Sequence, residues 1–262
     1  MPNLSRRSVV LSVCAAVVAA LLAVAAFAPL PVSIVEPGLT ANVLGSDNGT
    51  PIITVKGVPV RTTSGQLRLV TVQATAPNAS VHFSDVWSAW FKNSQAVMPR
   101  DAVYPSGGTV EEINKANLKD FAQSEAAATS AALKQMGLSP SQVHVTLRLE
   151  DVGGPSAGLL FTLGIIDKVD GDGHGGDLTG GQNIAGTGTI DAAGKVGAVG
   201  GVPLKEQAAR RDGATVFLVP RDECADAKAD LPKGLKLVPV TTLDGALSAL
   251  SALRAHSATP SC

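Results

Sequence analysis

Two short segments carry residue types suited to covalent chemistry: Gly153-Gly154-Pro155-Ser156-Ala157-Gly158 and Gly200-Gly201-Val202-Pro203-Leu204-Lys205. In each, proline stands where a helix begins, because its ring fixes φ and its missing N–H falls where the donor is unpaired anyway. Ser156 therefore sits at one helix N-terminus and Lys205 in the first turn of another. A serine hydroxyl is a weak nucleophile near neutral pH. It needs a base within hydrogen-bond reach and donors for the oxyanion that forms on an attacked carbonyl. The unpaired N–H groups of a helix's first turn supply donors, and glycines at 153, 154 and 158 let a substrate backbone approach. Gly154, Pro155 and Ala157 are thus the supporting positions around Ser156. Lysine acts as a base only when its ammonium is destabilised, since an ordinary pKa near 10.4 leaves almost no free amine. Lowering it to about 7 takes roughly 4–5 kcal/mol, which burial and the positive end of a helix supply together. Each segment alone also has a plainer reading, Ser156 as a helix opener and Lys205 as a solvated charge.

The elements that must position these residues follow from periodicity. Val143 to Leu149 alternates as a strand and leads directly into the first glycine-rich segment. Ala157 to Lys168 reads as a helix with Leu159, Leu160, Leu163, Ile165 and Ile166 on a broad apolar side. Pro203 to Arg211 reads as a shorter helix that Gly213 stops. Thr215–Val219 and Leu235–Val240 are apolar strands followed by an alanine- and leucine-rich helix, which completes a mixed α/β (α+β) pattern. Upstream, short Val/Ile/Leu/Thr runs separated by Gly, Pro, Asn and Asp between Pro31 and Val103 read as β-structure. A capping-box pattern at Thr109 and Glu112 opens a long helix that lasts until Gly137, with a weak apolar stripe that names no partner.

Composition bounds the function classes. The 262 residues are 45% apolar but only 3% aromatic, so the core is built from Val, Leu, Ile and Ala. A formal net charge of −1, from 21 basic and 22 acidic residues, leaves no electrostatic footprint for nucleic acid. Arg6 and Arg7 precede an uncharged stretch, residues 8–30, long enough to cross a bilayer and longer than the apolar region of a cleaved signal, with Ala26-Phe27-Ala28 leaving cleavage open as the alternative. With the arginines cytoplasmic, everything after Pro31 is expected on the extracytoplasmic side of a single-pass cell-membrane protein. Cys14 lies in the span, while Cys224 and Cys262 lie in the exported part, where pairing is open. The run Asp170-Gly171-Asp172-Gly173-His174-Gly175-Gly176-Asp177 lacks the glutamate that completes a calcium loop and reads as a turn. No cofactor or metal is called for, and the histidines form no triad pattern.

Three blocks in order resemble the proteolytic domain of the Lon family: Gly154 to Gly158, then Thr187-Gly188-Thr189-Ile190, then Val199 to Glu206. The resemblance spans about Val143 to Leu250. It implies that Ser156 forms an acyl-enzyme, that Lys205 carries the proton, and that Thr187 hydrogen-bonds and orients the lysine amine. Among Lon-like peptidases the chain looks most like the membrane-anchored, PDZ-containing ones. Here, however, Gly137 to Pro140 joins the long helix directly to the protease strand, with no PDZ-sized segment. No Gly-x-x-x-x-Gly-Lys-Ser/Thr loop is present, so ATP-driven unfolding is not expected of this chain. The implied layout is a cytoplasmic tip and transmembrane anchor (1–30), a β-rich membrane-proximal module (31–108), a helical connector (109–140), a Lon-like proteolytic domain (141–253) and a tail (254–262). The implied partners are unfolded or exported polypeptides as substrates and further copies of the chain in a homo-oligomer. The rival from another class is a catalytically idle anchored scaffold that binds chains with the same fold.

Overall fold

The computed structural model describes residues 6–105, 107–149 and 152–262. Its helices are α1 (Arg6–Phe27), α2 (Phe83–Trp90), α3 (Arg100–Val103), α4 (Val110–Gln135), α5 (Gly158–Val169), α6 (Val202–Arg211), α7 (Cys224–Ala229) and α8 (Leu243–Arg254). Its strands are β1 (Val32–Asn42), β2 (Ser46–Asp47), β3 (Thr50–Pro51), β4 (Ile53–Lys56), β5 (Gln66–Ala74), β6 (Ala96–Pro99), β7 (His144–Leu147), β8 (Asn183–Gly186), β9 (Thr189–Ile190), β10 (Val196–Gly197), β11 (Val216–Pro220) and β12 (Lys236–Val240). Two compact units form: the smaller from the described residues of Met1–Glu36 and Ala74–Val110, the larger from those of Pro37–Gln73 and Glu111–Cys262.

The larger unit is organised by parallel strands in the order β12, β11, β8, β5, with β1 beside β5. Register aligns Ile184 with Leu67 on one side and Val216 on the other. Every residue of β11 is buried, as a strand covered on both faces must be. Its side chains alternate between two apolar layers. Val216 and Leu218 pack with Leu67, Leu69, Ile184 and Val238, while Phe217 and Val219 pack with Val70, Ala185 and Leu237. The first layer is filled by α5, which is apolar nearly all round and buried from Gly158 to Asp167. A core leucine there, such as Leu160, contributes about 2–5 kcal/mol against truncation to alanine. The second layer is closed by α6 and α7 through Val202, Ala209 and Ala227.

The long helix α4 is part of this core and not a connector. Phe121, Ala128, Ala131 and Ala132 are buried against the α5 layer, and the Phe121 ring meets Phe161 edge-on at 5.8 Å. Its stripe looked weak in the sequence because it is made of alanines, whose small side chains let two helices approach closely. Gly137, at φ +66°, adopts the left-handed conformation that ends it. The β-rich segment also divides differently from the sequence layout. Residues 37–73 belong to the larger unit, where β5 joins the central sheet and β4 pairs antiparallel with β7, Ile53 opposite Leu147 and Lys56 opposite His144. Residues 74–110 stay with the smaller unit. Strand propensity is local, whereas this pairing joins segments far apart in the chain, so periodicity alone could not assign it.

Cys224, at the start of α7, is bonded to Cys262, with Cα atoms 5.3 Å apart. Closing that loop removes unfolded-chain entropy worth about 4 kcal/mol on a chain-entropy model.

In the smaller unit, α1 buries none of its residues and has a mean hydropathy of 2.8 across its most apolar window. Its 22 residues span about 33 Å at the helical rise, against a hydrocarbon core of about 30 Å. The helix is therefore long and apolar enough to cross a membrane. Beyond it, Val32–Val35 pairs antiparallel with β6, and Tyr104 donates to the Thr75 carbonyl at 2.7 Å.

Candidate active site

Lys205 occupies the first turn of α6, its amide bonded to the Gly201 carbonyl at 3.1 Å. Gly201 begins the helix in the left-handed conformation, φ +70°, and a Cβ there would meet Val72 Cγ1 at 2.9 Å, so both torsion and space require glycine. The lysine side chain is held inside: Lys205 is 3% exposed. Burial pulls its pKa down to about 8, opposed by the nearby Glu223 carboxylate. Its neighbour Glu206 is also fully buried, with both carboxylate oxygens unpartnered among the described residues. Burial pushes that carboxyl up to about 8, and Asp230 adds to the shift.

Thr187 follows β8 and is completely buried. Its amide bonds the Leu218 carbonyl of β11 at 3.0 Å, which fixes the residue to the sheet. The Lys205 ammonium donates to Thr187 Oγ1 at 3.2 Å. Thr187 Oγ1 in turn donates to the Ser156 carbonyl at 3.3 Å, which also accepts from the Gly188 amide at 3.0 Å. A hydroxyl has one proton; with that proton on the Ser156 carbonyl, Thr187 meets the lysine only as an acceptor.

Ser156 lies in the turn that enters α5 and is partly exposed. Its hydroxyl makes no hydrogen bond among the described residues, and Thr187 is the link between its backbone and Lys205. The Ser156 and Ala157 amides have no backbone partner among the described residues, and Ala157 is the residue that caps α5. Two further contacts hold the turn from the α4 side. Gly154 N donates to the Asn117 carbonyl at 3.2 Å, and Ser124 Oγ donates to the Pro155 carbonyl at 3.0 Å. Gly154, at φ +84°, has open space where a Cβ would stand, so backbone torsion alone demands glycine. A Cβ at Gly158 would meet Ser124 Oγ at 2.9 Å and Ile190 Cγ2 at 3.1 Å, so there glycine is needed for space. Beside Pro155 runs an open groove of about 440 Å³ lined by Ser124, Gln123, Asp120, Ile190 and Asp191.

Ser156, Lys205, Thr187, Gly154, Pro155 and Ala157 are thus one neighbourhood. Sequence reasoning missed Asn117 and Ser124, which come from a helix it set apart. A serine buried in an alanine-rich face was the one available signal. The Asp170–Asp177 run lies elsewhere, with its carboxylates facing arginines: Asp172 pairs with Arg254 at 3.5 Å and Asp177 with Arg61 at 3.5 Å.

Residues 106–252 match the family model of the Lon protease (S16) C-terminal proteolytic domain. The chain belongs to that family. Lon protease of Azospirillum brasilense is 27% identical over 172 residues, 61% of this chain and 20% of that protein. Lon protease of Chloroflexus aggregans is 27% identical over 141 residues, covering 50% and 16%. Lon protease of Xanthomonas oryzae pv. oryzae is 32% identical over 108 residues, covering 40% and 12%. The chain therefore spans at most 20% of the length of these relatives. The Lon family match runs through all three motif blocks and begins within the smaller unit, upstream of α4.

Proposed function

We propose that this chain is a membrane-anchored, ATP-independent serine endopeptidase that cleaves unfolded or exported polypeptides on the extracytoplasmic side, with Ser156 as nucleophile and Lys205 as general base. The observation that carries the reading is the buried Lys205 amine hydrogen-bonded to Thr187, which is itself bonded to the Ser156 backbone. A neutral amine held by donating one N–H to an acceptor keeps its lone pair unengaged, and a pKa near 8 makes that neutral form accessible close to neutral pH. Catalysis then requires the Ser156 hydroxyl to reach that amine. Lys205 takes the hydroxyl proton as Ser156 Oγ adds to the scissile carbonyl carbon, and the Ser156 and Ala157 amides receive the oxyanion. Collapse of the tetrahedral species breaks the C–N bond, Lys205 returns its proton to the leaving amine, and an ester on Ser156 remains. Water, deprotonated by the same amine, hydrolyses that ester and restores both residues.

The topology rests on α1, with Arg6 and Arg7 at its cytoplasmic end. It is supported by the Cys224–Cys262 bridge, which suits an oxidising compartment. A homo-oligomer is the expected assembly for a domain of this family. The test is degradation of a fluorescently labelled unfolded polypeptide by the full chain in mild detergent. Turnover without ATP that rises with pH through about 8 supports the peptidase. Tight binding of the polypeptide without cleavage assigns the chain to the scaffold reading instead.

A further inference from the structure

The smaller unit carries a second apolar feature besides α1. The chain has two tryptophans, one tyrosine and six phenylalanines, and every strongly exposed aromatic ring among them is in this unit: Phe27, Phe83, Trp87, Trp90 and Phe91. Apart from Phe27, at the end of α1, they lie on or immediately after α2. At 100° per residue, positions 83, 87, 90 and 91 fall on one side of the helix. Adjacent rings touch, with centroids 6.1 Å apart for Phe83–Trp87 and 5.3 Å for Trp87–Phe91. The neighbouring face, Val86 and Ala89, turns into the unit, and Ser84, Asp85 and Ser88 are exposed on the remaining side. Trp87 is 60% exposed and Trp90 80%, so none of the described residues covers the aromatic face. Leaving several large rings in water forgoes roughly 1.5–3 kcal/mol each.

What covers it is indicated by its position. Leu30, three residues beyond α1, is bridged to Val81, with its amide on the Val81 carbonyl at 2.8 Å. His82 then opens α2, its amide bonded to the Asp85 carboxylate at 2.8 Å. Three extended residues reach at most about 10 Å, so the start of α2 is tethered within one headgroup layer of the place where α1 leaves the hydrocarbon. Tryptophan favours that zone because its ring is large and apolar yet carries a polar N–H. Lys92, exposed just after the helix, suits anionic headgroups.

We propose that α2 lies in the membrane interface, with the rings of Phe83, Trp87, Trp90 and Phe91 seated among the headgroups and upper acyl chains of the leaflet where α1 ends. The occupant of this face is the lipid surface itself. The proposal rests on the reading of α1 as a membrane span. It makes the smaller unit a collar with two points of attachment, a spanning helix and an interfacial one.

Native probes test both parts separately. Trp87 and Trp90 are the chain's two tryptophans, so intrinsic emission reports on α2 alone, and Cys14, in α1, is the free cysteine. The full chain is reconstituted into phosphatidylcholine nanodiscs, with and without lipid brominated near the top of its acyl chains. The expected result is loss of most tryptophan emission in the brominated discs, weak quenching by aqueous iodide, and Cys14 protected from a membrane-impermeant maleimide. Emission indifferent to brominated lipid but strongly quenched by iodide overturns the proposal, and protected Cys14 beside it leaves the anchor standing. Blue-shifted emission indifferent to both quenchers assigns the face to a second copy of the chain and also overturns it. Maleimide-reactive Cys14 overturns the anchor. Bromine quenching retained in that case still supports lipid docking by α2, and quenching lost removes it.

Discussion

Replacing Lys205 with methionine isolates the electrostatic cost of the buried amine. Burial lowers its pKa from 10.5 to about 8 in the folded protein, a difference that corresponds to about 3 kcal/mol at 1.36 kcal/mol per unit. The sign follows from proton linkage. Above about pH 10.5 the amine is neutral in both folded and unfolded chains, and burial carries no charge penalty. As pH falls, the unfolded chain takes up the proton first, and folding must either exclude it or bury an ammonium. Stability from this group is therefore lost as pH drops through the folded-state pKa, and the loss is complete below about 8. Methionine keeps the length and bulk without a titrating group. It also leaves Thr187 without its amine donor, a pH-independent offset of about 1 kcal/mol. The assay is urea unfolding of parent and Lys205→Met in detergent, followed by far-UV circular dichroism at several pH values. The variant should gain on the parent by about 3 kcal/mol as pH falls across that interval, while other titrating groups cancel in the difference. A stability difference that stays flat refutes the buried, depressed lysine and the mechanism built on it.

Thr187→Val removes the hydroxyl that receives the lysine N–H and holds the Ser156 carbonyl, at nearly constant volume. Turnover of an unfolded polypeptide should fall on the order of 100-fold, the scale of a misplaced catalytic group, with circular dichroism unchanged; unaltered turnover would remove Thr187 from the site. Glu206→Gln should act oppositely to Lys205→Met in its pH dependence. A carboxyl raised from 4.5 to about 8 contributes stability below its unfolded pKa that is lost as pH rises through the folded one. The variant should thus gain on the parent between those values, by at most about 5 kcal/mol, and parallel urea-unfolding profiles would show that Glu206 ionises freely.

The candidate site was legible because its signals are local. Gly154 to Gly158 and Gly200 to Lys205 each code their own helix start, and the torsion demanded at Gly154 and Gly201 is written as glycine. The alternating run marked β7, which presents one face to solvent, and the continuous apolar runs marked β11 and β12, since a strand buried on both faces needs no other instruction. What stayed hidden is non-local. Ser124 and Asn117 reach the Ser156 turn from α4, a helix whose contacts are made by alanines and leave little hydropathy signature. The pairing of β4 with β7 and the placing of β5 in the central sheet join distant segments, so the apparent β-rich module divided between two units. The unpartnered burial of Glu206 had no sequence cue, because a glutamate beside a lysine in a first turn reads as surface. Cys224 and Cys262 were recognisable as candidates for pairing, and only the fold brings them together.

The central claim is that Ser156 and Lys205 act as one unit, and a double-mutant comparison tests it most directly. Turnover of an unfolded polypeptide is measured for the parent, Ser156→Ala, Lys205→Met and the double variant, each checked by circular dichroism. Nucleophile and base that share a transition state should give three equally inactive variants, the second substitution costing almost nothing after the first. Losses that multiply, or a Lys205→Met protein that still cleaves, would show that another group serves Ser156 and would contradict the account.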